Sequence, residues 1–286
     1  MLKLILRNLP PRLFNLLVPL ITLLLLPIVA RRYFRTSTGR AYGVGLATKL
    51  RLLAAMVRNN MLVPSASIWV THLLMATEIL NVPPSVKGVI VECGCFKGGS
   101  TVNLSLVAAA CGRELHVFDS FAGLPDPSPE DSGHLLLVDS EVQTYARGAY
   151  AGTLQEVTSN IERFGARDAC TFHKGYFEDT LPQFDQPIVF AFVDVDLASS
   201  VKTCLEYLWP LLIDGGYLFT DEAPHLEIAG LFYDRQWWSE VLGTEPPGLV
   251  GAGNGLGLFP HEGGFFGSSI GYTAKIDRSA LPSRPG

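Results

Sequence analysis

The first 77 residues of the chain contain no aspartate or glutamate, whereas the whole sequence of 286 residues has 27 acidic and 22 basic side chains. Every acidic residue therefore lies after Thr77, and the larger part of the chain is strongly acidic. A domain with that charge lacks the basic surface that non-specific nucleic-acid binding requires, so we expect no nucleic-acid partner. The length suits one large α/β domain with an extension at one end.

Cysteine is also scarce, and the paired CxxC spacing of zinc sites is absent. The odd number of five favours reduced thiols in a cytosolic domain. The pair Cys93-x-Cys95 is compatible with a redox or metal element, and equally with small residues in a tight turn. The five are Cys93, Cys95, Cys111, Cys170 and Cys204.

Charge is missing altogether from residues 13–30, LFNLLVPLITLLLLPIVA, and basic residues flank this run on both sides. The run is just long enough to span a membrane, although Pro19 and Pro27 interrupt it. The bulky basic residues that follow do not resemble a signal-peptide cleavage site. We predict a membrane anchor at residues 1–35, with membrane lipid as a partner and the body of the protein on the cytoplasmic side. A buried core helix is the alternative.

A basic amphipathic pattern follows over residues 36–84, where lysine and arginine interleave with leucine, methionine and valine. Such a pattern is typical of an interfacial helix on anionic lipid, or of a lid over an active site. The main domain is predicted at residues 85–278, and a disordered tail at 279–286.

Short apolar runs alternate with helical patterns through the main domain, which predicts an α/β fold. We expect a Rossmann-like, doubly wound, mostly parallel seven-stranded sheet with helices on both faces. Ligands of such sheets bind at the carboxyl ends of the strands. The long segment 119–153, rich in Pro, Asp, Ser and Gly, is expected to border the substrate. The predicted strands are 88–94, 115–120, 170–175, 187–196, 215–222, 255–260 and 269–276.

The first strand leads into a glycine-rich bend, VIVECGCFKGGST, that lacks two familiar nucleotide signatures. A dinucleotide loop needs a second glycine two residues after Gly94, and a phosphate loop needs a lysine between Gly99 and Ser100. Glu92 at the strand end would repel phosphate, but it can pair with the α-ammonium group of S-adenosylmethionine. Asp119, at the end of the second strand, can accept hydrogen bonds from both ribose hydroxyls. Together the two acids favour a site for this methyl donor.

Four motifs then make the sequence recognisable: VECGCFKGGST, DSFAGLP, KGYFEDTLP and FVDVDLASSVKTCLEYLWPLLIDGGYLFTDE. In order and spacing they resemble the macrocin O-methyltransferase (TylF/MycF) family of class I S-adenosylmethionine-dependent methyltransferases, over about residues 65–235. The resemblance implies that residues 85–278 form a methyltransferase domain that acts on a sugar hydroxyl. It also implies a cofactor pocket that uses Glu92, Gly94, Gly98, Ser100, Thr101, Asp119, Ser120, Phe121, Gly175 and Phe177.

The family further implies a magnesium ion on Asp194, Asp221 and Glu222. Because Asp194 and Asp221 end neighbouring strands, their carboxylates can converge on one ion, which would acidify a substrate hydroxyl. Asp194 is the first candidate catalytic base and His225 the second. Two residues depart from the family pattern: Glu222 replaces an aspartate, and Ala198 stands where tyrosine is frequent.

We therefore predict an O-methyltransferase, assisted by Mg2+, that methylates a glycosyl or polyol hydroxyl near a membrane. Two alternatives stay open: a catalytically silent S-adenosylmethionine-binding membrane scaffold, and a Rossmann-type nucleotide-binding module. Assembly into a homo-oligomer is also left open.

Overall fold

The computed structural model describes residues 30–131, 134–135, 142–250 and 270–276, with the backbone alone for 134–135 and 142–143. Within these ranges a six-stranded sheet has the order β5-β2-β1-β6-β7-β8, and β3 pairs separately with β4. The strands are β1 (Val89–Cys93), β2 (Leu115–Asp119), β3 (His134–Leu135), β4 (Val142–Gln143), β5 (Cys170–Lys174), β6 (Ile188–Val193), β7 (Leu212–Thr220) and β8 (Gly271–Ala274).

The order of the strands reverses between β1 and β6, which both run parallel to their neighbours. Glu92 on β1 lies opposite Val117 of β2 and Phe192 of β6. Every residue of β1, β2 and β6 is buried, as expected for strands covered on both faces. The reversal creates a crevice at the carboxyl ends of β1 and β6, which is where open α/β sheets bind ligands.

Helices cover both faces of the sheet, so alternate residues of β1 enter different apolar clusters. Ile90 packs with the helices that precede and follow β1, whereas Val89 and Val91 pack on the other face. The helices are α1 (Leu46–Leu62), α2 (Trp69–Asn81), α3 (Gly99–Cys111), α4 (Leu154–Phe164), α5 (Phe177–Thr180), α6 (Ala198–Leu211), α7 (Leu226–Leu231) and α8 (Arg235–Trp237).

A buried polar network fixes α1 and α2 to α3. Asn59 donates to Asn103 (2.9 Å), whose amide lies 2.7 Å from His72 Nδ1, and Ser67 Oγ lies 2.8 Å from His72 Nε2. Burial lowers the pKa of His72 to about 3, so this imidazole stays neutral. One face of the predicted basic extension is therefore part of the core, and α3, which begins at the glycine bend, is held against it.

The sheet differs from the prediction in strand number. The described ranges contain six of its strands rather than seven, because the predicted strand 255–260 lies outside them. The last strand, β8, runs antiparallel to β7, so the sheet is mixed. The parallel order around β1 is confirmed.

The predicted anchor lies almost entirely outside the described residues, and residues 30–34 form turns. Across the described ranges, no helix has the length and apolar character that crossing a membrane demands.

Candidate functional site

The bend between β1 and α3 requires glycine at the point where β1 and β6 separate. Gly94 has φ +81°, and a Cβ atom there would lie 1.8 Å from the carbonyl oxygen of Asp194. Gly98, with φ +85°, precedes the first turn of α3, and a Cβ on it would lie 3.1 Å from Val157. Larger residues would force the strand ends apart, so the glycines create the space in which a ligand can approach the backbone.

Glu92 is fully buried, and the hydroxyls of Ser100 and Thr101 at the start of α3 are the hydrogen-bond donors that lie near its carboxylate among the described residues. Burial raises its pKa from 4.5 to about 7, while these two hydroxyls oppose the shift and Asp119 adds to it. A buried carboxylate in this state is costly unless a cation pairs with it, so the site fits the α-ammonium group of S-adenosylmethionine.

This titration makes binding of the methyl donor depend on pH. The pKa of Glu92 is higher in the folded protein than in the unfolded chain. Protonated Glu92 therefore adds to the free energy of unfolding at low pH, and this contribution is lost as pH rises through about 7. Binding of the ammonium group needs the carboxylate, so we expect the dissociation constant to fall about tenfold between about pH 5.5 and pH 7, below the α-amino titration near pH 7.7. Calorimetric titration at the two pH values measures this. A flat profile in the native protein would contradict the assignment, and Glu92→Gln should be flat.

Asp119 connects three parts of the pocket. Its Oδ2 accepts from the amide of Cys95 (2.7 Å) and its Oδ1 from the amide of Phe121 (2.7 Å). Its carbonyl oxygen accepts from the amide of Gly175 (3.0 Å). Each carboxylate oxygen keeps a second lone pair, so the orientation that these amides impose leaves room for two ribose hydroxyls.

Three other predicted cofactor residues differ in the contacts that their side chains make. The Ser120 hydroxyl donates to the carbonyl of Gly123 (2.8 Å), so it organises the turn after β2. Phe121 is buried with φ +53°, and its ring packs edge-on against Phe172 at 6.1 Å. Phe177 begins α5 and packs against an apolar cluster on one face of the sheet. The structure therefore gives Phe177 a packing role, while Ser120 and Phe121 shape the loop beside Asp119.

A second group of acids follows β6 and β7: Asp194, Asp196, Asp221 and Glu222. Burial is the largest cause of the raised pKa of Asp194, and repulsion from Asp221, Glu222 and Asp196 adds to it. Burial and then repulsion from Glu222 and Asp221 likewise raise the pKa of Asp196. The parallel strands thus bring these carboxylates together, as their positions in the sequence predict.

Glu222 does not point into this group as an open ligand. Its Oε1 accepts from the amides of Val195 (3.1 Å) and Asp196 (2.8 Å), and its Oε2 lies 2.9 Å from His225 Nδ1. In the part of the chain that the structure describes, no three His, Cys, Asp or Glu side chains are arranged to hold a metal ion. The three predicted ligands therefore do not present a magnesium site, and the ion stays a prediction.

His225 Nδ1 lies 2.9 Å from Glu222 Oε2. A hydrogen on Nδ1 would make this contact favourable and would leave the lone pair on Nε2. His225 is 6% exposed, and the Tyr145 hydroxyl lies 3.3 Å from its Nε2. Glu222 therefore orients the imidazole, with its basic nitrogen turned toward the long segment 119–153.

Two tyrosines beside these acids were not predicted from the sequence. Tyr145 and Tyr150 both lie near the acid group. Burial raises the pKa of each phenol, and the negative charges of Glu222 and Asp196 raise it further. The Tyr150 ring contacts Phe96 of the glycine bend edge-on at 5.9 Å. The tyrosines stand in the segment YARGAY, but nothing in that pattern shows that the chain folds back over the bend.

Asp131 attaches the long segment to the domain. Its carboxylate accepts from the amide (3.1 Å) and hydroxyl (2.7 Å) of Ser199 at the start of α6, and from the amide (3.0 Å) and hydroxyl (2.7 Å) of Ser128. Burial acts to raise the pKa of Asp131, but these hydrogen bonds outweigh it and hold the pKa below its usual value. The segment is therefore fixed at one point beside the acid group.

Replacing Asp131 with asparagine should loosen this segment. Asparagine keeps one accepting oxygen, but its NH2 group cannot accept and the negative charge is lost. We therefore expect KM for the acceptor to rise about tenfold, equivalent to losing one or two charge-assisted hydrogen bonds, while affinity for S-adenosylmethionine changes less than about twofold. Steady-state kinetics and calorimetry measure the two effects. Asp126→Asn is the control, because the exposed pair of Asp126 with Arg147 contributes little. Equal KM values for the two variants would contradict the role of Asp131.

Comparisons with known proteins agree with this geometry. A relative from Streptomyces olivaceus, 8-demethyl-8-(2,3-dimethoxy-alpha-L-rhamnosyl)-tetracenomycin-C 4'-O-methyltransferase, is 34% identical over 143 residues, which cover 48% of this chain. The match spans 53%, about half, of that relative's length.

Two solved structures share the fold. The O-methyltransferase NovP has a TM-score of 0.52 at 19% identity, over 72% of this chain and 78% of its own. A calicheamicin methyltransferase has a TM-score of 0.51 at 19% identity, over 83% and 91%. Residues 70–233 match the model of the macrocin O-methyltransferase (TylF) family. Because that match covers more than half of the sequence, the chain belongs to the macrocin O-methyltransferase family.

Proposed function

We propose that this protein is an S-adenosylmethionine-dependent O-methyltransferase that acts on a sugar hydroxyl. The observation that carries the proposal is the buried carboxylate of Glu92 beside the glycine bend, which has no cationic partner among the described residues, with Asp119 oriented on the next strand. An ammonium group satisfies Glu92, whereas a phosphate would be repelled by it. Membership of the macrocin O-methyltransferase family supports the same reaction.

The bound donor supplies an electrophilic methyl group on a sulfonium. The acceptor oxygen forms a bond to that methyl group as the bond from sulfur to the methyl breaks, and S-adenosylhomocysteine leaves. The hydroxyl proton passes to His225 Nε2, because Glu222 holds the hydrogen of Nδ1 on the opposite side of the ring. Burial and the neighbouring acids raise the pKa of Asp194, and a cationic donor bound nearby would favour its ionised form.

The acceptor is proposed to be a glycosyl hydroxyl. The relative from Streptomyces olivaceus is named as the 4'-O-methyltransferase of a rhamnosyl-bearing tetracenomycin, and it is 34% identical to this chain over 143 residues. Tyr145 and Tyr150 provide aromatic faces beside the acids, on which the apolar face of a sugar ring can pack. The Tyr145 hydroxyl contacts the basic nitrogen of His225, so it marks where an acceptor hydroxyl would bind.

Magnesium assistance is a separate proposal. A bound cation would relieve the mutual repulsion among Asp194, Asp196 and Asp221. Glu222, the third predicted ligand, is instead hydrogen-bonded to the backbone. Treatment with EDTA before the assay tests this. Loss of activity that added Mg2+ restores would support the proposal, and unchanged activity would overturn it.

The assay of purified full-length protein uses S-adenosylmethionine labelled in the methyl group and a panel of rhamnosides and related glycosides. Label in the glycoside, absent with boiled protein, is the expected result. Binding of the donor without transfer to any acceptor would favour the silent scaffold. Competition by NAD or ATP would favour the nucleotide-binding module.

A further inference from the structure

One side of α1 leaves large apolar residues in solvent. Leu46, Leu50, Val57 and Met61 are 64%, 50%, 37% and 81% exposed, and their spacing places them along a single stripe of the helix. The adjoining side, which includes Leu53 and Met56, is buried in the core. Packing within the domain therefore explains one face of α1 but not the stripe.

The charges beside the stripe have one sign. Arg51 and Arg58 are exposed, and their described hydrogen bonds go to Ala47, Thr48 and Asn59 rather than to carboxylates. No acidic residue occurs in the first 77 positions of the sequence. An apolar stripe with arginines along one edge matches the boundary of an anionic bilayer, where acyl chains lie below phosphate groups.

The first described residues of the chain lie beside the first turns of α1. Lys49 Nζ donates to the carbonyl of Arg35 (2.6 Å), and the Tyr33 hydroxyl donates to the carbonyl of Lys49 (3.1 Å). The uncharged run 13–30 therefore joins the protein next to the first turns of α1.

We propose that the exposed stripe of α1 docks on an anionic lipid bilayer, with Arg51 and Arg58 at the phosphate level. The helix lies in the interface and does not cross the bilayer, because its other face belongs to the protein core. The stripe contains none of the residues assigned to the proposed catalytic site, so methyl transfer to a dissolved acceptor is not expected to depend on it.

A fluorescent label on α1 tests the proposal in the full-length protein. Met61→Cys carries an environment-sensitive dye, and the five native cysteines are buried, which limits labelling elsewhere. Vesicles of phosphatidylcholine with one quarter phosphatidylglycerol should shift the emission to shorter wavelength, and pure phosphatidylcholine should do so much less. The dye reports on α1 itself, even where residues 13–30 also bind the vesicle.

Variants test whether the stripe is the cause of the emission shift. Leu46→Glu with Leu50→Glu should reduce the shift at least about tenfold at a given lipid concentration, and Arg51→Gln with Arg58→Gln should abolish the preference for anionic vesicles. Val241→Glu, at a site 43% exposed outside α1, is the control. Unchanged melting temperature and donor affinity establish that the variants fold.

Two outcomes would overturn the proposal. In the first, the dye is shielded before lipid is added and vesicles change nothing. Sedimentation would then distinguish a second copy of the chain from residues 13–30 as the cover. In the second, the Leu46 and Leu50 variant responds to anionic vesicles as the native stripe does.

Discussion

Glu92→Gln is expected to weaken binding of S-adenosylmethionine at about pH 7 by at least about 30-fold, because losing one partner of a buried charge pair costs roughly 2 kcal/mol or more. The same change should leave the ligand-free protein as stable or more stable at about pH 8. There the native carboxylate is ionised and buried without a cation beside it, and the neutral amide removes that cost. Calorimetry and thermal unfolding measure the two effects.

The opposite signs separate a binding role from a structural one. A residue that only supports the fold would lose stability and affinity together. Glu206→Gln, on the exposed side of α6, is the matched control and should change neither quantity. If Glu92→Gln binds the donor as tightly as the native protein, the cofactor site is assigned to the wrong carboxylate.

His225→Gln is expected to lower kcat by about 10²- to 10⁴-fold, the usual contribution of a general base, with donor affinity nearly unchanged. Glutamine has no basic nitrogen to accept the acceptor proton. Glu222→Gln should give a smaller loss, because the imidazole remains but loses the carboxylate that orients Nδ1. Single-turnover rates and equilibrium donor binding distinguish chemistry from affinity.

His173→Gln is the control for the loss of a histidine. His173 lies on β5, where it stacks on Phe118 and contacts His116, away from the acids after β6 and β7. Its variant should retain activity per folded molecule. A His225 variant with native kcat would show that another group, with Asp194 as the first candidate from the sequence, removes the proton.

The strands and the cofactor acids could be read from the sequence because their causes are local. Continuous apolar runs mark strands that are buried on both faces, and a parallel sheet brings strand ends to one edge. Glu92, Asp119, Asp194 and Asp221 therefore had positions that followed from strand order alone.

Other features depend on contacts between distant segments. The carboxylate of Glu222 is a suitable metal ligand by its chemistry, but the direction of its side chain is set by backbone amides 26 and 27 residues away. Tyr145 reaches His225 across 80 residues, and Asp131 reaches Ser199 across 68. The amphipathic pattern of α1 was equally compatible with a lid and an interfacial helix, and only the packed core shows which face remains exposed.

Equilibrium titration of the full-length protein with S-adenosylmethionine tests the central claim most directly. The account predicts one donor molecule bound per chain, displaced by S-adenosylhomocysteine but not by NAD or ATP, with affinity lost in Glu92→Gln. Failure to bind the donor at millimolar concentration, or displacement by a phosphate-bearing nucleotide, would contradict it.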